Sequence, residues 1–600
     1  MGTKRHALHG TGLDRFRAVW VLDFKLRRRE GEAPEPVCLV ARELRSRREV
    51  RLWDDELRSR SSPPYDIGSD SAVFAHDATK AMGCHLALGW TLPTNVIDSF
   101  VEFRAHTNGL EAPSENRLLG ALAHFGLESM SVAKDTDIEA LVLRGAPYSS
   151  DERRAVVEYC AAQVQGIERL IRRLMPHVSV AHALLRGRYM CAAADMERRG
   201  VPIDAPLLRR MVRNWVPVQR RLVAAVDPAF GVFERGSFSE ARFDSWLRAN
   251  GCRWPRHSNG RLVLDDETWR AMARGRPELQ PLYELRATLG QMRLADIAVG
   301  ADGRNRVRLR PFRARTGRNA PSSARFVFGP ARWMRGLIKP GPGMAIAYID
   351  WSQQELGIAA ALSKDDKMLE AYCSGDPYLR FAQQARAAPP HATKESHEAV
   401  REQFKACCLG VNYSMGEESL ATMAGISVYE ARHLLELHRR TYPRYWAWSD
   451  AVVNHAIANR GIRTVFGWPL HVGREPNERA LRNFPMQANG AEMMRLACCF
   501  ALERGLPVCA PIHDAFLVEA PVADIDDVVV AVQKAMEDAS AAVLGGFRLR
   551  SEAKMIRYPE RYMDKRGATM WNTVMRLLTE VERDGGGPNP SAHAAGPVHQ

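Results

Sequence analysis

Two aspartates stand where apolar, strand-like segments end, and both are candidate metal ligands. The segment AIAYIDWSQQELGIAAALS is apolar up to Asp350 and then continues as a helix that carries Glu355. The segment LPVCAPIHDAFLVEAP predicts a β-hairpin with His513 and Asp514 at its tip. A rigid strand can aim such a carboxylate into a cleft, where hard cations bind oxygen ligands. Taken alone, either aspartate could equally cap a helix or form a turn.

A third segment, HATKESHEAVREQFKACCLGVNYSMG, repeats notable side chains at every fourth position. The stripe that they form along a predicted helix consists of Arg401, Lys405, Leu409 and Tyr413. Two cations followed by an apolar and an aromatic side chain match a nucleotide laid along the helix, with its triphosphate on the cations. An ordinary amphipathic helix with solvated cations would show the same spacing.

These three segments resemble, in order and in spelling, the motifs of family A DNA polymerases, the bacterial polymerase I family. DWSQQEL resembles motif A, RxxxKxxxxxxxY resembles motif B, and HDA resembles motif C. RARTGRNAPSS resembles the TGR segment that precedes motif A, and NERALRNFPMQANGAEMM resembles the primer-template-binding stretch between motifs B and C. Five ordered motifs between Thr316 and Ala515 are difficult to obtain by chance.

The resemblance implies template-directed DNA synthesis by two-metal phosphoryl transfer. Asp350 and Asp514 would hold two Mg²⁺ ions, with Mn²⁺ as a substitute, and Lys405 would also donate a proton to the leaving pyrophosphate. Glu355 would block a ribose 2′-hydroxyl, so that the product is DNA. The implied nucleotide-binding residues are Arg401, Lys405, Leu409, Tyr413, Glu355, Gln353 and Tyr378. The implied primer-template contacts are Arg318, Arg479, Asn483, Gln487 and His513.

Four positions depart from the usual pattern of the family. Leu409 stands where Phe or Tyr is usual, which puts sugar discrimination near the 3′ position in doubt. Tyr378 replaces a phosphate-contacting His, Ser414 replaces the Gly after the motif B tyrosine, and Ala515 replaces the Glu after the motif C aspartate. None of these changes removes a primary metal ligand.

The amino-terminal part resembles an RNase H-like 3′→5′ exonuclease domain, through segments such as WVLDFKLRRREGEAPEPVCLVARE and GCHLALGWTLP. Such nucleases place several carboxylates around two metals. Here the DxE of the first strand has become Asp23, Phe24 and Lys25, and the helix that usually reads YxxxD has Gln163. Ala81 stands where a further acid is usual. We therefore expect a folded domain that does not proofread, with an ion pair of Lys25 and Asp23 in the vacated metal site.

Three alternatives remain open at this level. Asp77, Asp98 and Glu102 could replace the missing nuclease acids and leave residual 3′→5′ exonuclease activity. A single-subunit phage-type RNA polymerase shares the motif B helix and the HD motif, but it needs open space where Glu355 stands. A non-catalytic nucleic-acid-binding protein with a polymerase fold would have no need of the two aspartates and the two cations together.

The elements that position these residues predict a multidomain chain of α/β and α+β class. Strand-like segments between Ala18 and Trp53, and helical periodicity from Asp151 to Met175, predict an RNase H-like domain over residues 1–185. By resemblance, a right-hand polymerase with palm, fingers and thumb would follow. The expected parts are a helical thumb at 186–300, a palm at 301–370 and 460–566, fingers at 371–459 and a disordered tail at 583–600.

Size and charge fit this organisation. Six hundred residues exceed what one core organises, and the net charge of +14 suits a surface that follows a phosphate backbone, although a merely basic protein shows the same charge. The 11 cysteines form no CxxC pair, so we expect buried, reduced thiols rather than zinc sites or disulfides. No leader pattern or bilayer-spanning apolar run is present, so we expect a cytoplasmic monomer in a bacterium or phage-infected cell. Its expected partners are primer-template DNA and dNTPs.

Overall fold

A computed structural model of the chain describes residues 11–110, 118–127, 132–257, 259–265, 268–269, 272–273, 276–291, 296–329 and 331–585. The chain folds into two compact units. The first comprises Met1–Gly200, Arg308–Pro321 and Ala345–Met555, and the second comprises Val201–Val307, Ser322–Met344 and Ile556–Gln600. Among the described residues, no helix is both long and apolar enough to cross a membrane.

The first unit begins with a five-stranded mixed sheet. Three antiparallel strands come first in the chain, at Ala18–Arg27, Glu35–Glu43 and Glu49–Trp53, as the sequence predicted. Ser71–Ala75 and Val96–Asp98 extend the sheet in parallel on the other side of the first strand. The first strand is apolar on both faces, because Val19 and Val21 enter one core cluster and Trp20 and Leu22 enter another.

Helices cover both faces of this sheet. The longest, Ser150–Leu174, packs on the first two strands and begins with a capping box in which Ser149 Oγ accepts from the Glu152 N–H at 3.2 Å. This helix corresponds to the one predicted from Asp151 to Met175. The other helices of this part are Asp54–Arg58, Ala78–Ala87, Ser99–Thr107, Leu118–His124, Val132–Arg144 and Val180–Arg199, with a 3₁₀ turn at Met175–His177.

The domain end expected near residue 185 falls inside the helix Val180–Arg199. This helix packs closely on the strand Val96–Asp98, because a Cβ added at Gly187 would lie 1.7 Å from the carbonyl oxygen of Val96. Gly200 ends the helix with a φ of 63°, a conformation that glycine adopts without strain. The first unit therefore continues to Gly200.

A four-stranded sheet organises the rest of the first unit. Its strand order is Val508–Ile512, Ala515–Pro521, Met344–Trp351 and Ser551–Arg557. We call Val508–Pro521 the aspartate hairpin and Met344–Trp351 the Asp350 strand. The accompanying helices are Gln354–Ser363, Asp366–Cys373, Pro377–Gln384, Glu398–Asn412, Glu417–Ala424, Val428–Thr441, Pro443–Ala458, Glu478–Glu503 and Ile525–Val543. A two-stranded ribbon joins Gly461–Arg463 to Pro469–His471.

The second unit contains the helices Ala205–Arg213, Trp215–Val226, Glu240–Ala249, Gln280–Gln291 and Ala568–Arg583. Its 3₁₀ turns are Asp227–Ala229, Pro277–Leu279, Arg332–Leu337 and Lys565–Gly567. Its short strands pair Val201–Pro202 with Arg304–Asn305 and Phe233–Glu234 with Ser237–Phe238. The tail expected to be disordered from residue 583 starts within the last helix, and residues 586–600 lie outside the described residues.

The cysteines behave as the composition suggested. All 11 are free thiols, and ten of them are buried. Cys373, the last residue of the helix Asp366–Cys373, is the exposed one. Burial raises the pKa of Cys407 and Cys499 to about 12, so these thiols stay protonated at neutral pH.

Candidate active site

The two predicted metal ligands lie on neighbouring strands. Asp350 is the next-to-last residue of the Asp350 strand, and Asp514 lies in the two-residue turn of the aspartate hairpin. The N–H of Trp351 donates to the carbonyl oxygen of Asp514 at 3.2 Å, which places the two aspartates next to each other. The predicted hairpin, with His513 and Asp514 at its tip, is confirmed.

Both carboxylates are partly buried, and both have a raised pKa. Burial, the charge of Asp514 and the charge of Glu552 raise the pKa of Asp350 to about 6. Burial also raises the pKa of Asp514, although a backbone N–H, His513 and Arg318 act against this rise. Within the described part of the chain, neither aspartate forms an ion pair. Such a pair fits a divalent cation, which relieves the repulsion and takes oxygen ligands.

Sequence reasoning missed a third carboxylate, Glu552. It lies on the strand Ser551–Arg557, which pairs with the Asp350 strand, and its Oε1 accepts from Ser352 Oγ at 3.0 Å. A single glutamate in SEAKMIR carries no motif, and only the strand order brings it to the site. Among the described residues, no group of three His, Cys, Asp or Glu side chains lies close enough together to hold a metal ion.

A cleft of about 300 Å³ opens beside the hairpin turn. It brings together eight residues that the sequence singled out, namely Arg318, Gln353, Glu355, Tyr378, Leu409, Tyr413, His513 and Asp514. Four others complete its lining, namely Gln354, Leu356, Cys408 and Asn412. Burial raises the pKa of Glu355 against the opposing charge of Arg318, whose Nη2 lies 3.7 Å from Glu355 Oε1.

Backbone strain marks both sides of this cleft. Gln353, with a φ of 47°, turns the chain from the Asp350 strand into the helix Gln354–Ser363, and His513, with a φ of 54°, turns it at the hairpin tip. Residues other than glycine rarely adopt this conformation, and it concentrates at functional sites. Gln353 Oε1 and Gln354 Nε2 are also buried without a hydrogen-bond partner among the described residues.

The helix Glu398–Asn412, here called the stripe helix, displays the predicted stripe, with Tyr413 at its carboxyl end. The Arg401 guanidinium pairs with Asp376 and Glu402 and lies 5.5 Å from the ring centroid of Tyr378. Lys405 Nζ pairs with Glu402 at 3.0 Å. Both cations are therefore held by carboxylates that a triphosphate would have to displace.

The remaining predicted DNA contacts lie on another helix. Arg479, Asn483 and Gln487 follow one another at every fourth position of the helix Glu478–Glu503, and none of them lines the cleft. Arg479 lines a separate hollow. Asn483 Oδ1 is buried without a hydrogen-bond partner among the described residues.

Residues 327–555 match the model of DNA polymerase family A. This segment is similar to DNA polymerase family A, and we call residues 327–555 the family A domain after that match. The match contains the Asp350 strand, the stripe helix and the aspartate hairpin, so the resemblance seen in the motifs is confirmed.

The relatives of this family A domain are distant. The thermostable DNA polymerase I of Thermus thermophilus is 27% identical over an alignment of 380 residues, which covers 58% of this chain and 44% of that protein. The DNA polymerase of Mycobacterium phage D29 is 26% identical over 339 residues, 54% of this chain and 55% of that protein. The chain thus spans about half the length of these relatives.

The fold as a whole is also that of a solved polymerase. The POL domain of Pol1 from M. smegmatis, in a complex with DNA primer-template and dNTP, superposes with a TM-score of 0.67 at 19% identity. The match covers 92% of this chain and 97% of the POL domain. It therefore extends well beyond residues 327–555 and shows a polymerase fold of mixed α/β content.

The expected nuclease residues precede the family A domain in the chain, and Asp23, Lys25 and Gln163 contact one another or Tyr159. Lys25 Nζ pairs with Asp23 Oδ2 at 2.8 Å, so the predicted ion pair is present. Gln163 Nε2 donates to Tyr159 Oη at 2.5 Å, and Lys25 Nζ lies 4.7 Å from the centroid of that tyrosine ring. Ala81 is buried in the helix Ala78–Ala87. We call this cluster, together with Asp77 and Asp98, the former nuclease centre, after the sequence prediction that its residues replace those of a nuclease site.

The three candidate substitute acids, Asp77, Glu102 and Asp98, each have ion-pair or hydrogen-bond partners. Arg308 and Lys80 lower the pKa of Asp77 despite its burial, and the Arg308 guanidinium pairs directly with it. Glu102 forms a buried pair with Arg186, with Nε–Oε1 at 2.7 Å and Nη2–Oε2 at 2.5 Å.

Asp98 is fully buried and accepts from three backbone N–H groups, those of Asp77, Ala78 and Phe100, at 2.7–3.0 Å. Burial, followed by the charge of Asp77, raises its pKa to about 7. Its carboxyl group therefore supports the backbone and is half protonated near neutral pH.

Proposed function

We propose that this protein is a template-directed DNA polymerase that adds deoxynucleotides to a primer 3′ end. The observation that carries the proposal is the pair Asp350 and Asp514, which lie on neighbouring strands and both have a raised pKa, with Asp514 lining the cleft beside the helix Glu398–Asn412. Two divalent ions, Mg²⁺ or Mn²⁺, would align the primer oxygen with the α-phosphate and neutralise the developing charge. The two aspartates would hold them, with phosphate oxygens completing the coordination.

The other residues of the site would bind and select the nucleotide. Arg401 and Lys405 would exchange Asp376 and Glu402 for triphosphate oxygens, and Lys405 would donate a proton to the leaving pyrophosphate. Glu355, held near Arg318, would exclude a ribose 2′-hydroxyl and so favour DNA over RNA as product. Tyr413, which is 46% exposed, would pack near the templating base.

The proposal extends to the parts of the chain. Residues 301–370 and 460–566 would form the palm, 371–459 the fingers and 186–300 the thumb of a right-hand polymerase. The five-stranded sheet and its helices would be an RNase H-like domain. Primer-template DNA would contact Arg318, Arg479, Asn483, Gln487 and His513, and the protein would act as a monomer.

We further propose that the amino-terminal domain does not proofread. Metal-dependent cleavage needs clustered carboxylates whose charge is available to two cations. Asp23 is neutralised by Lys25 and Asp77 by Arg308, while Asp98 is engaged with backbone N–H groups. The domain would survive as a scaffold.

Primer extension tests the polymerase proposal. Purified protein would receive a primer-template with dNTPs, with rNTPs, or with dNTPs and no divalent cation, and extension is expected only in the first arm. Asp350→Ala should not extend the primer, whereas Asp366→Ala, which removes an exposed carboxylate with its own arginine partner, should extend it normally. Extension by Asp350→Ala at the wild-type rate would contradict the proposal.

A 3′-mismatched primer without dNTPs tests the nuclease proposal. With Mg²⁺ or Mn²⁺ present, the primer should stay intact. Shortening that persists in Asp350→Ala but disappears in Asp23→Asn or Asp98→Asn would show an active nuclease and overturn this part of the proposal.

A further inference from the structure

The segment Arg308–Pro321, here called the strap, carries Arg318 to the cleft but contains no helix or strand of its own. Two of its non-glycine residues have left-handed backbone, Arg310 with a φ of 50° and Phe312 with a φ of 58°. Within the strap, a few backbone hydrogen bonds close local turns, such as that from the Ala314 N–H to the Arg318 carbonyl oxygen at 3.2 Å. These turns do not attach the strap to the cleft, so contacts with other elements place Arg318 relative to Glu355.

The first residues of the strap are tied to the former nuclease centre. The Arg308 guanidinium pairs with Asp77, which is itself held in a left-handed conformation next to Asp98. The N–H of Leu309 donates to Glu197 Oε1 at 2.7 Å in a buried environment. These two contacts fix both the side chain and the backbone at the start of the strap.

The middle of the strap is held by the same amino-terminal region. Arg104 donates to the carbonyl oxygen of Arg313, and Asn108 donates to that of Arg315, both at 2.7 Å. The Tyr189 hydroxyl is hydrogen-bonded to the side-chain amide of Asn319, at 3.0 Å from Oδ1 and 2.6 Å from Nδ2. Phe312 is fully buried between Tyr189 and Trp468.

The far side of the strap faces the family A domain. Arg495 Nη1 donates to the carbonyl oxygen of Gly317 at 2.7 Å, immediately before Arg318. Arg318 then points to Glu355, with 3.7 Å between Nη2 and Oε1. A continuous set of contacts thus leads from Asp77 to a side chain of the cleft.

We propose that the former nuclease centre positions the strap, and through it the Arg318–Glu355 pair of the cleft. Asp77, one of the candidate substitute acids, holds Arg308, and Glu197 on the helix Val180–Arg199 accepts from the Leu309 N–H. The amino-terminal domain then contributes to nucleotide selection without cleaving DNA. Asp77 and Arg308 are positioning residues, since neither touches the cleft. This inference rests on the proposed polymerase function.

A double-mutant cycle on full-length protein tests the inference. The variants are Arg308→Gln, Asp77→Asn and the pair together; asparagine keeps the size of Asp77 and tolerates its left-handed backbone. The matched control is Arg51→Gln. The Arg51 side chain is 39% exposed and forms an ion pair, as does Arg308, which is 41% exposed. Arg51 lies on the amino-terminal sheet and away from the strap. Each protein is measured for dNTP and rNTP incorporation, giving kcat and KM separately, and for thermal unfolding.

Each single variant should lower kcat/KM for dNTP by about 10-fold, since small misplacements near a reacting centre have large effects on rate. The preference for dNTP over rNTP should fall as Glu355 loses its fixed partner. The double variant should be no worse than either single variant, because both remove one contact. Arg51→Gln should match wild type, and all variants should unfold at similar temperatures.

The outcomes separate the two proposals. If wild-type protein extends primers and Asp350→Ala does not, but Arg308→Gln and Asp77→Asn keep wild-type kinetics and sugar preference, the positioning role is wrong. Equal losses in Arg308→Gln and Arg51→Gln would also overturn it, because they would show general destabilisation. If wild-type protein extends no primer at all, the polymerase proposal fails first and the inference falls with it.

Discussion

Two groups of carboxylates in this chain differ in whether a basic side chain balances their charge. In the candidate active site, burial and the charge of Asp514 raise the pKa of Asp350, burial raises the pKa of Asp514, and no ion pair to either is found among the described residues. In the former nuclease centre, Asp23 faces Lys25 and Asp77 faces Arg308. Burial works against the charge of Lys25, yet Asp23 raises the pKa of this lysine above its ordinary value, so Lys25 stays charged. A site that supplies its own cations has no electrostatic need for metal ions, whereas an unbalanced site does.

The largest expected effect concerns catalysis. Asp350→Ala or Asp514→Ala should reduce nucleotide incorporation by about 1,000-fold or more, because each removes a proposed metal ligand of a charge-stabilising site. Primer-template binding should persist, since phosphate contacts lie elsewhere. Single-turnover extension and a fluorescence anisotropy titration measure the two quantities. Near-normal extension by either variant would remove the contrast between the two groups.

The next effect is on stability, and it should have opposite signs in the two groups. Asp23→Asn leaves the Lys25 cation buried without its partner and should lower the free energy of unfolding by about 3 kcal/mol. Asp350→Asn relieves repulsion and should leave stability unchanged or raise it slightly. Urea denaturation without divalent cations measures both. Equal destabilisation by the two variants would show that charge balance does not distinguish the sites.

A smaller effect is expected on sugar selection. Glu355→Ala opens space beside the nucleotide and should increase the rNTP/dNTP ratio of kcat/KM about 10-fold. Leu356→Ala, at the next position of the same helix and also in the cleft lining, is the control for packing loss. An unchanged ratio in Glu355→Ala would refute the steric role of this glutamate.

The smallest effect is a pH dependence in the former nuclease centre. The pKa of Asp98 is raised to about 7 in the folded protein, above its ordinary value near 4, because of burial and the charge of Asp77. The folded state therefore binds this proton more tightly than the unfolded state does. The contribution to stability is full below about pH 4 and is lost as the pH rises through 7.

Thermal unfolding between pH 6 and 8 measures this contribution. The midpoint of Asp98→Asn should depend less on pH than that of wild type, whatever its absolute value. Parallel pH profiles for the two proteins would show that Asp98 does not titrate in this range.

Local periodicity predicted the elements that carry the site. The first three strands, the stripe helix from Arg401 to Tyr413 and the hairpin around Asp514 are all present, because their spacing depends on backbone geometry alone. What the sequence did not show were partners. Glu552 reaches Asp350 only through strand order, and Asp376 reaches Arg401 only through the packing of two helices.

In the former nuclease centre, too, the sequence predicted single residues and a local pair but not a long-range partner. The sequence identified Lys25 as the replacement of a carboxylate, and its pair with Asp23 followed from their positions on one strand. The pair of Asp77 with Arg308 joins residues 231 positions apart, and nothing in either local segment indicates it. Long-range charge pairs depend on tertiary packing, which composition and periodicity do not encode.

The single exposed thiol of the chain offers a direct experimental handle. Cys373 ends the helix Asp366–Cys373, which leads towards Asp376, the carboxylate that holds Arg401. Because the other ten thiols are buried, a maleimide fluorophore should attach at this one position in the native protein without any cysteine being replaced. Its emission would then follow, in real time, the release of Arg401 from Asp376 as a triphosphate binds.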